Sequence, residues 1–102
     1  MKQEQNTQQI RVPMPREEQM FAVVNRVLGG SRMSVHCEDG KSRLARIPGG
    51  KRRGMGRIRA GDLVLISPWD VQDEKADVQF RYRKNQARFL DRKNSLPDEI
   101  NF

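Results

Sequence analysis

Residues 41–62 read KSRLARIPGGKRRGMGRIRAGD, a stretch that holds eight Lys/Arg, five Gly and a single acid, Asp62. Charges at this density stay in water or meet a polyanion, and glycine lets the backbone approach a bulky ligand. Residues 42–47 at the start of this stretch and residues 62–67 at its end have the apolar pattern of short strands. We therefore expect a basic loop that buries little apolar surface, held between two strands of a small β domain.

Three further strands are predicted on both sides of this stretch, at residues 20–28, 32–38 and 76–82. The second alternates cleanly, so Met33, Val35 and Cys37 share an inward face. Gly29-Gly30 and Asp39-Gly40 are turn signals between the strands. In the strand predicted at 42–47 we expect Ala45 and Ile47 to face inward. Arg46 should face outward and Arg43 should lie at the rim. Residues 62–67 are apolar on both faces, which predicts that another element covers their outer side.

Five strands in about sixty residues bury too little as an open sheet, and closure also removes exposed edges. The fold class predicted is all-β, a five-stranded OB-fold barrel with a C-terminal helix. Asn85 is the expected N-cap of a helix that ends near Lys93. We expect Ala87, Phe89 and Leu90 to dock this helix on the barrel. The expected organisation is a disordered tail over 1–17, the barrel over 18–84, and helix and tail over 85–102.

The charge balance favours a nucleic acid as the partner. The chain of 102 residues carries a net charge of +7 and has a pI near 10.3. The charge is uneven, because residues 26–59 hold ten Lys/Arg against Glu38 and Asp39. A membrane surface is the main rival, but no basic amphipathic helix, lipid signal or long apolar run is visible. One cysteine, Cys37, excludes an intrachain disulfide and agrees with a cytoplasmic location.

Catalytic and metal-binding patterns are absent from the sequence, so we expect no enzyme activity and no cofactor. His36 and Cys37 point to opposite faces of one strand and cannot share a tetrahedral zinc site. The acids of residues 70–77 read as solvated charge in a turn. Trp69 is expected to pack against the barrel or the helix rather than to stack on a base. The expected RNA contacts are Arg46, Lys51, Arg52, Arg53, Arg57, Arg59, Lys41 and His36.

An ordered set of motifs resembles the archaeal translation initiation factor 1A family. It consists of MFAVV at 20–24, VLGG at 27–30, CEDGK at 37–41, RIPG at 46–49, SPW at 67–69 and DEKADV at 73–78. The resemblance implies an OB-fold factor that binds the small ribosomal subunit at its A site. There it would contact ribosomal RNA and promote assembly of the initiation complex with initiator tRNA, mRNA and other initiation factors. Arg57 stands where the family pattern has an aromatic residue, and a guanidinium can also stack on a base.

Two other functions remain open at this point. The first is a general single-stranded RNA-binding protein or RNA chaperone of OB type, which would bind any unstructured RNA with similar affinity. The second is a structural protein that assembles through the barrel edge or the helix and shows little salt dependence. We expect a monomer, which distinguishes the RNA-binding functions from the structural one.

Overall fold

A computed structural model describes residues 12–100 and confirms the five-stranded barrel with a C-terminal helix. The elements are β1 (Met20–Gly29), β2 (Arg32–Cys37), β3 (Ser42–Arg46), a 3₁₀ turn (Gly49–Lys51), β4 (Leu63–Pro68), β5 (Lys75–Arg81) and α1 (Lys84–Arg92). The barrel is closed, with strand order β1-β2-β3-β5-β4. Each strand lies within a residue or so of its predicted bounds.

The long first strand closes the barrel because it pairs with two neighbours at once. β1 is antiparallel to both β2 and β4, so that Ala22 lies opposite Cys37 in one ladder and opposite Val64 in the other. An irregularity between Val24 and Arg26 bends β1 between these two partners. On the far side β3 pairs with β5 in parallel. β5 therefore separates β3 from β4, and the basic connection must pass it.

The apolar residues form two clusters, one on each side of β4. Val64 and Ile66 face the barrel interior, whereas Leu63 and Leu65 face outward. The interior cluster includes Ala22, Val24, Met33, Val35, Cys37, Ala45, Ala76 and Val78. The outer cluster includes Phe21, Leu63, Leu65, Tyr82, Ala87, Leu90 and Ile100. The prediction that another element covers the outer face of this strand is confirmed, since α1 and the chain after it do so.

The helix begins two residues earlier than expected for a helix capped by Asn85, which is therefore not the N-cap. Arg83 occupies that position, and its backbone N–H donates to Gln86 Oε1 at 2.8 Å. The early start follows from the barrel, because the Tyr82 N–H still bonds to Leu63 O at 2.9 Å and the Ala87 N–H to Arg83 O at 2.9 Å. Because the helix starts directly after β5, Asn85 lies inside its first turn and is not the N-cap.

Both chain ends of the described region pack on the outer cluster. Val12 and Leu96 lie against it, and the Tyr82 hydroxyl donates to the Pro13 carbonyl. Burial raises the pKa of Tyr82 and keeps this hydroxyl protonated as a donor. Part of the segment expected to be loosely attached is thus in contact with the barrel, while residues 1–11 lie outside the described region. Ile100, in a stretch that carries no recognisable pattern, is 7% exposed.

Leu90→Ala tests whether α1 seals the outer cluster. Leu90 is 2% exposed, and truncation of such a side chain costs about 2–4 kcal/mol of unfolding free energy. Urea denaturation would measure the loss. Arg88→Ala, on the exposed face of the same helix, should change stability by no more than about 0.5 kcal/mol. Equal effects of the two substitutions would contradict the packing of α1.

Candidate nucleic-acid interface

Two apolar side chains anchor the basic loop, residues 47–62, to the barrel. Met55 and Ile58 are 8% and 9% exposed, and both belong to the interior cluster. The carbonyl of Met55 also accepts a hydrogen bond from Arg81 Nε at 2.7 Å, which ties the loop to the end of β5. The stretch thus buries two apolar side chains, and most of its other residues are exposed. Because both side chains join the interior cluster, the loop shares the core of the strands.

Backbone contacts fix the loop where it leaves the barrel mouth. Asp62 Oδ2 accepts from the Arg59 N–H at 2.9 Å, and Asp62 O accepts from the Val24 N–H at 2.9 Å. Gly56 has a backbone conformation that favours glycine, and a Cβ there would displace the end of the Arg81 side chain. Its φ is +76°, and a Cβ there would lie 2.7 Å from Arg81 Nη2. Glycine at this position therefore lets the loop backbone lie against the Arg81 guanidinium.

Five cations of the loop extend into solvent from this anchored backbone. They are Lys51, Arg52, Arg53, Arg57 and Arg59, and all are exposed. Within residues 12–100 none of the five lies within 4.0 Å of a carboxylate oxygen. Their positive charge is therefore available to a polyanion, with no ion pair to break first in the described part of the chain.

The other three expected contacts each have an acidic partner. Lys41 Nζ lies 3.4 Å from Asp73 Oδ2, and Arg46 Nε lies 3.1 Å from Asp77 Oδ1. His36 Nε2 is 3.0 Å from Glu99 Oε1, a residue of the C-terminal segment. The side chains of all three remain at least 42% exposed. Exposed pairs of this kind contribute little stability, so an RNA phosphate can replace the carboxylate at small cost.

Arg43 is a buried structural residue, and the expectation of a rim charge is wrong. It is 4% exposed. Its guanidinium donates to Asp39 Oδ2 at 2.9 Å, to Asp73 Oδ2 at 3.0 Å and to the Asp73 carbonyl at 2.7 Å. Strand alternation accounts for this, because residue 43 has the same parity as the inward-facing Ala45. The hydrogen bond with Asp39 is the main cause that raises the pKa of Arg43 and lowers that of Asp39.

The acids of residues 70–77, predicted to be solvated charge, include two that bind other side chains. Asp73 holds Arg43, and Asp77 Oδ1 accepts from both Arg46 Nε and Trp69 Nε1, each at 3.1 Å. Trp69 therefore lies against strand residues of the barrel, one of the two positions expected for it. The Arg46 guanidinium carbon lies 5.0 Å from the centre of its ring, so cation and ring are in contact on the barrel surface.

Metal sites and membrane-spanning helices would indicate other classes of function. In residues 12–100 no group of three or more His, Cys, Asp or Glu side chains is placed to hold a metal ion. No helix in that range is long and apolar enough to span a membrane.

A closed five-stranded barrel with an anchored, strongly basic loop defines the class as an OB-type barrel with a cationic surface. Comparison with known proteins gives the family. Residues 8–101 match the model described as translation initiation factor 1A / IF-1. The chain belongs to this family, and its role is in translation initiation.

Several archaeal relatives are similar along most of their length. The chain is 46% identical over 98 residues to translation initiation factor 1A of Thermoplasma volcanium, covering 96% of this chain and 79% of the relative. It is 48% identical over 92 residues to the factor 1A of Pyrococcus abyssi, covering 89% and 80%. It is 44% identical over 90 residues to that of Methanopyrus kandleri, covering 88% and 80%.

Asp39→Asn tests the buried network through its pH dependence. Because the folded-state pKa of Asp39 lies below its ordinary value of 3.8, its ion pair stabilises the fold fully above that value. The contribution is lost as pH falls through the lowered pKa. The variant should therefore be less stable than the parent at pH 7, and the difference should shrink below pH 3.8. Asp91→Asn, on exposed helix surface, is the control and should show no such convergence in urea melts at several pH values.

Met55→Ala tests the anchoring of the loop. Loss of the buried side chain lowers the free energy of local opening, so trypsin should cleave after Arg52, Arg53 and Arg57 several-fold faster. Cleavage after Arg88 should keep its parental rate. Met14→Ala is the control because Met14 is 49% exposed. Equal acceleration at every site would indicate global destabilisation and contradict a local anchor. Mass spectrometry of timed digests gives these rates.

Proposed function

We propose that the chain binds the small ribosomal subunit near its A site through ribosomal RNA, and that it promotes assembly of the initiation complex with initiator tRNA and mRNA. One observation carries the proposal: the five loop cations lack acidic partners in the described residues 12–100, while the loop itself is anchored in the barrel. Membership of the initiation factor family supports the ribosome as the place where such a surface acts.

The anchored backbone explains how a glycine-rich loop can bind with useful affinity. Each cation that meets a phosphate releases counterions, and this entropic gain supplies most of the binding energy. A loop already held by Met55, Ile58 and the Asp62 contacts loses less conformational freedom on binding than a free loop would. Such phosphate contacts set position and orientation, whereas the shape of the folded RNA determines where the barrel fits.

The remaining expected contacts have a secondary role in this proposal. Arg46, Lys41 and His36 lie on the barrel surface with exposed carboxylate partners, and RNA phosphates replace those carboxylates on the ribosome. The barrel over residues 18–84 is the RNA-binding unit, with the tail before it and the helical segment after it. The factor acts in the cytoplasm as a monomer, without catalysis, beside other initiation factors.

The main competing function is general binding of single-stranded RNA. The proposed function and general RNA binding differ in whether free oligonucleotides compete with the small subunit for the protein. Free unstructured oligonucleotides in excess should leave a specific subunit complex intact, and they should displace the protein if it binds any single strand. Sedimentation with small and large subunits across a salt series would separate the cases, because the proposal requires preference for the small subunit.

The double substitution Arg52→Ala/Arg53→Ala tests the loop directly. It should weaken binding to small subunits at least about ten-fold and reduce the salt dependence by roughly two phosphate contacts. The melting temperature should stay nearly unchanged, because both side chains are exposed and the described structure gives them no ion pair. Co-sedimentation at several salt concentrations gives affinity and slope together.

Arg88→Ala/Arg92→Ala is the matched control. It removes the same charge from the exposed face of α1, so it should leave binding and salt slope close to those of the parent. If both double variants lose affinity equally, net charge rather than the loop determines binding. A large fall in melting temperature for the loop variant would show that these arginines stabilise the fold and would contradict a surface site.

A further inference from the structure

A short turn that follows α1 carries two acids and is held on the barrel by apolar residues. In residues 97–100 the last N–H donates to the carbonyl of the first at 3.0 Å, so Asp98 and Glu99 occupy the two central positions. Ile100 is 7% exposed within the outer cluster, and Leu96 packs against the same cluster. Apolar contacts on both sides therefore fix this turn, which we call the acidic turn.

The acidic turn places its carboxylates over the outward face of β1 and β2. His36 Nε2 donates to Glu99 Oε1 at 3.0 Å, since an ionised carboxylate offers only acceptors. A Cβ on Gly40 would lie 4.0 Å from Glu99 Cδ, so the turn also lies beside the connection between β2 and β3. Asp98 and Glu99 line one groove together with residues 23–25 and His36. A strand that runs along this face must therefore pass two carboxylates.

Neither carboxylate is neutralised by a lysine or an arginine. Within residues 12–100 no Lys or Arg nitrogen lies within 4.0 Å of Asp98 or Glu99, and both residues are exposed. They therefore repel a phosphate that approaches the face, over a range of about 8 Å at physiological salt. Stability does not account for them, because the apolar contacts hold the segment and an exposed contact such as Glu99–His36 contributes little.

We propose that Asp98 and Glu99 are specificity-determining residues, which keep loose single-stranded RNA off the outward face of β1 and β2. A loose strand makes few contacts and cannot offset the repulsion. The small subunit presents folded RNA to all five loop cations at once, and a phosphate can then take the place of Glu99 beside His36. This inference rests on the RNA-binding function proposed above and adds the C-terminal segment to it as a repulsive element.

Asp98→Asn/Glu99→Gln tests this role by removing both charges at nearly unchanged side-chain size. The new amide at position 99 keeps an oxygen that can accept from His36, so the turn should stay in place. Affinity for a short fluorescein-labelled oligouridine, measured by anisotropy at low salt, should rise about five-fold. Affinity for small subunits, measured by co-sedimentation, should rise no more than about two-fold. At about 0.5 M salt, where the Debye length is about 4 Å, the gain for oligouridine should disappear.

Glu18→Gln/Asp91→Asn is the matched control, because it removes the same charges from exposed positions before β1 and on α1. It should change oligouridine affinity by less than about two-fold. His36 is the single histidine of the chain, so its ring protons report in proton NMR where the strand binds. Oligouridine should shift these resonances in the Asp98→Asn/Glu99→Gln variant and leave them in place in the control. Urea melts check that both variants are folded.

Three results would overturn the role of the acidic turn. Oligouridine affinity that stays unchanged, or rises equally in both double variants, would mean that the position of the two acids is irrelevant. A gain that persists at high salt would not be electrostatic. A gain that leaves the His36 resonances in place would arise elsewhere on the protein. All three leave the proposed function standing, whereas failure of the parent protein to sediment with small subunits removes that function and is observed separately.

Discussion

Closure of the barrel is the constraint on which the rest of this structure depends. β1 pairs with β2 and β4, and the parallel pairing of β3 with β5 completes the ring. Because β5 then separates β3 from β4, the connection between those strands has to cross the barrel mouth. Met55 and Ile58 enter the interior there, and the charged residues between and around them face water. The loop is thus positioned by the same apolar burial that stabilises the barrel.

The strands could be predicted from the sequence because alternation and turn residues are local signals. The alternation of residues 32–38 and the two-sided apolar run of 62–67 were sufficient to give the barrel and its covered face. Helix capping was not predictable in the same way, since the Tyr82 N–H contact with Leu63 decides where the helix begins. That contact joins residues far apart in the chain, and residue preference at Asn85 carries no information about it.

For the candidate site, sequence reasoning identified the charges but not which of them have partners. Residues 43 and 45 are two apart in one strand and share a face, which is a local signal that Arg43 points inward with Ala45. Arginine is rarely buried, and this general preference favours the opposite prediction. No local pattern shows that Glu99 approaches His36 or that Asp77 joins Arg46 to Trp69, because these contacts depend on the closed barrel. Charge density alone could identify the five exposed loop cations, but only the structure shows that they have no acidic partner within residues 12–100.

The basic loop differs from the resembled family pattern at Arg57 but keeps its anchor at the next residue, Ile58. In the resembled family pattern an aromatic residue precedes the isoleucine, whereas here Arg57 precedes Ile58. Ile58 still anchors the loop, so the substitution changes the chemistry of an exposed position without releasing the backbone. The loop then carries an additional charge at this position, while Trp69 lies on the barrel surface, bonded to Asp77 and in contact with Arg46. Burial at Met55 and Ile58 sets where the loop lies, and the exposed positions between and around them can change from aromatic to cationic without loss of that anchor.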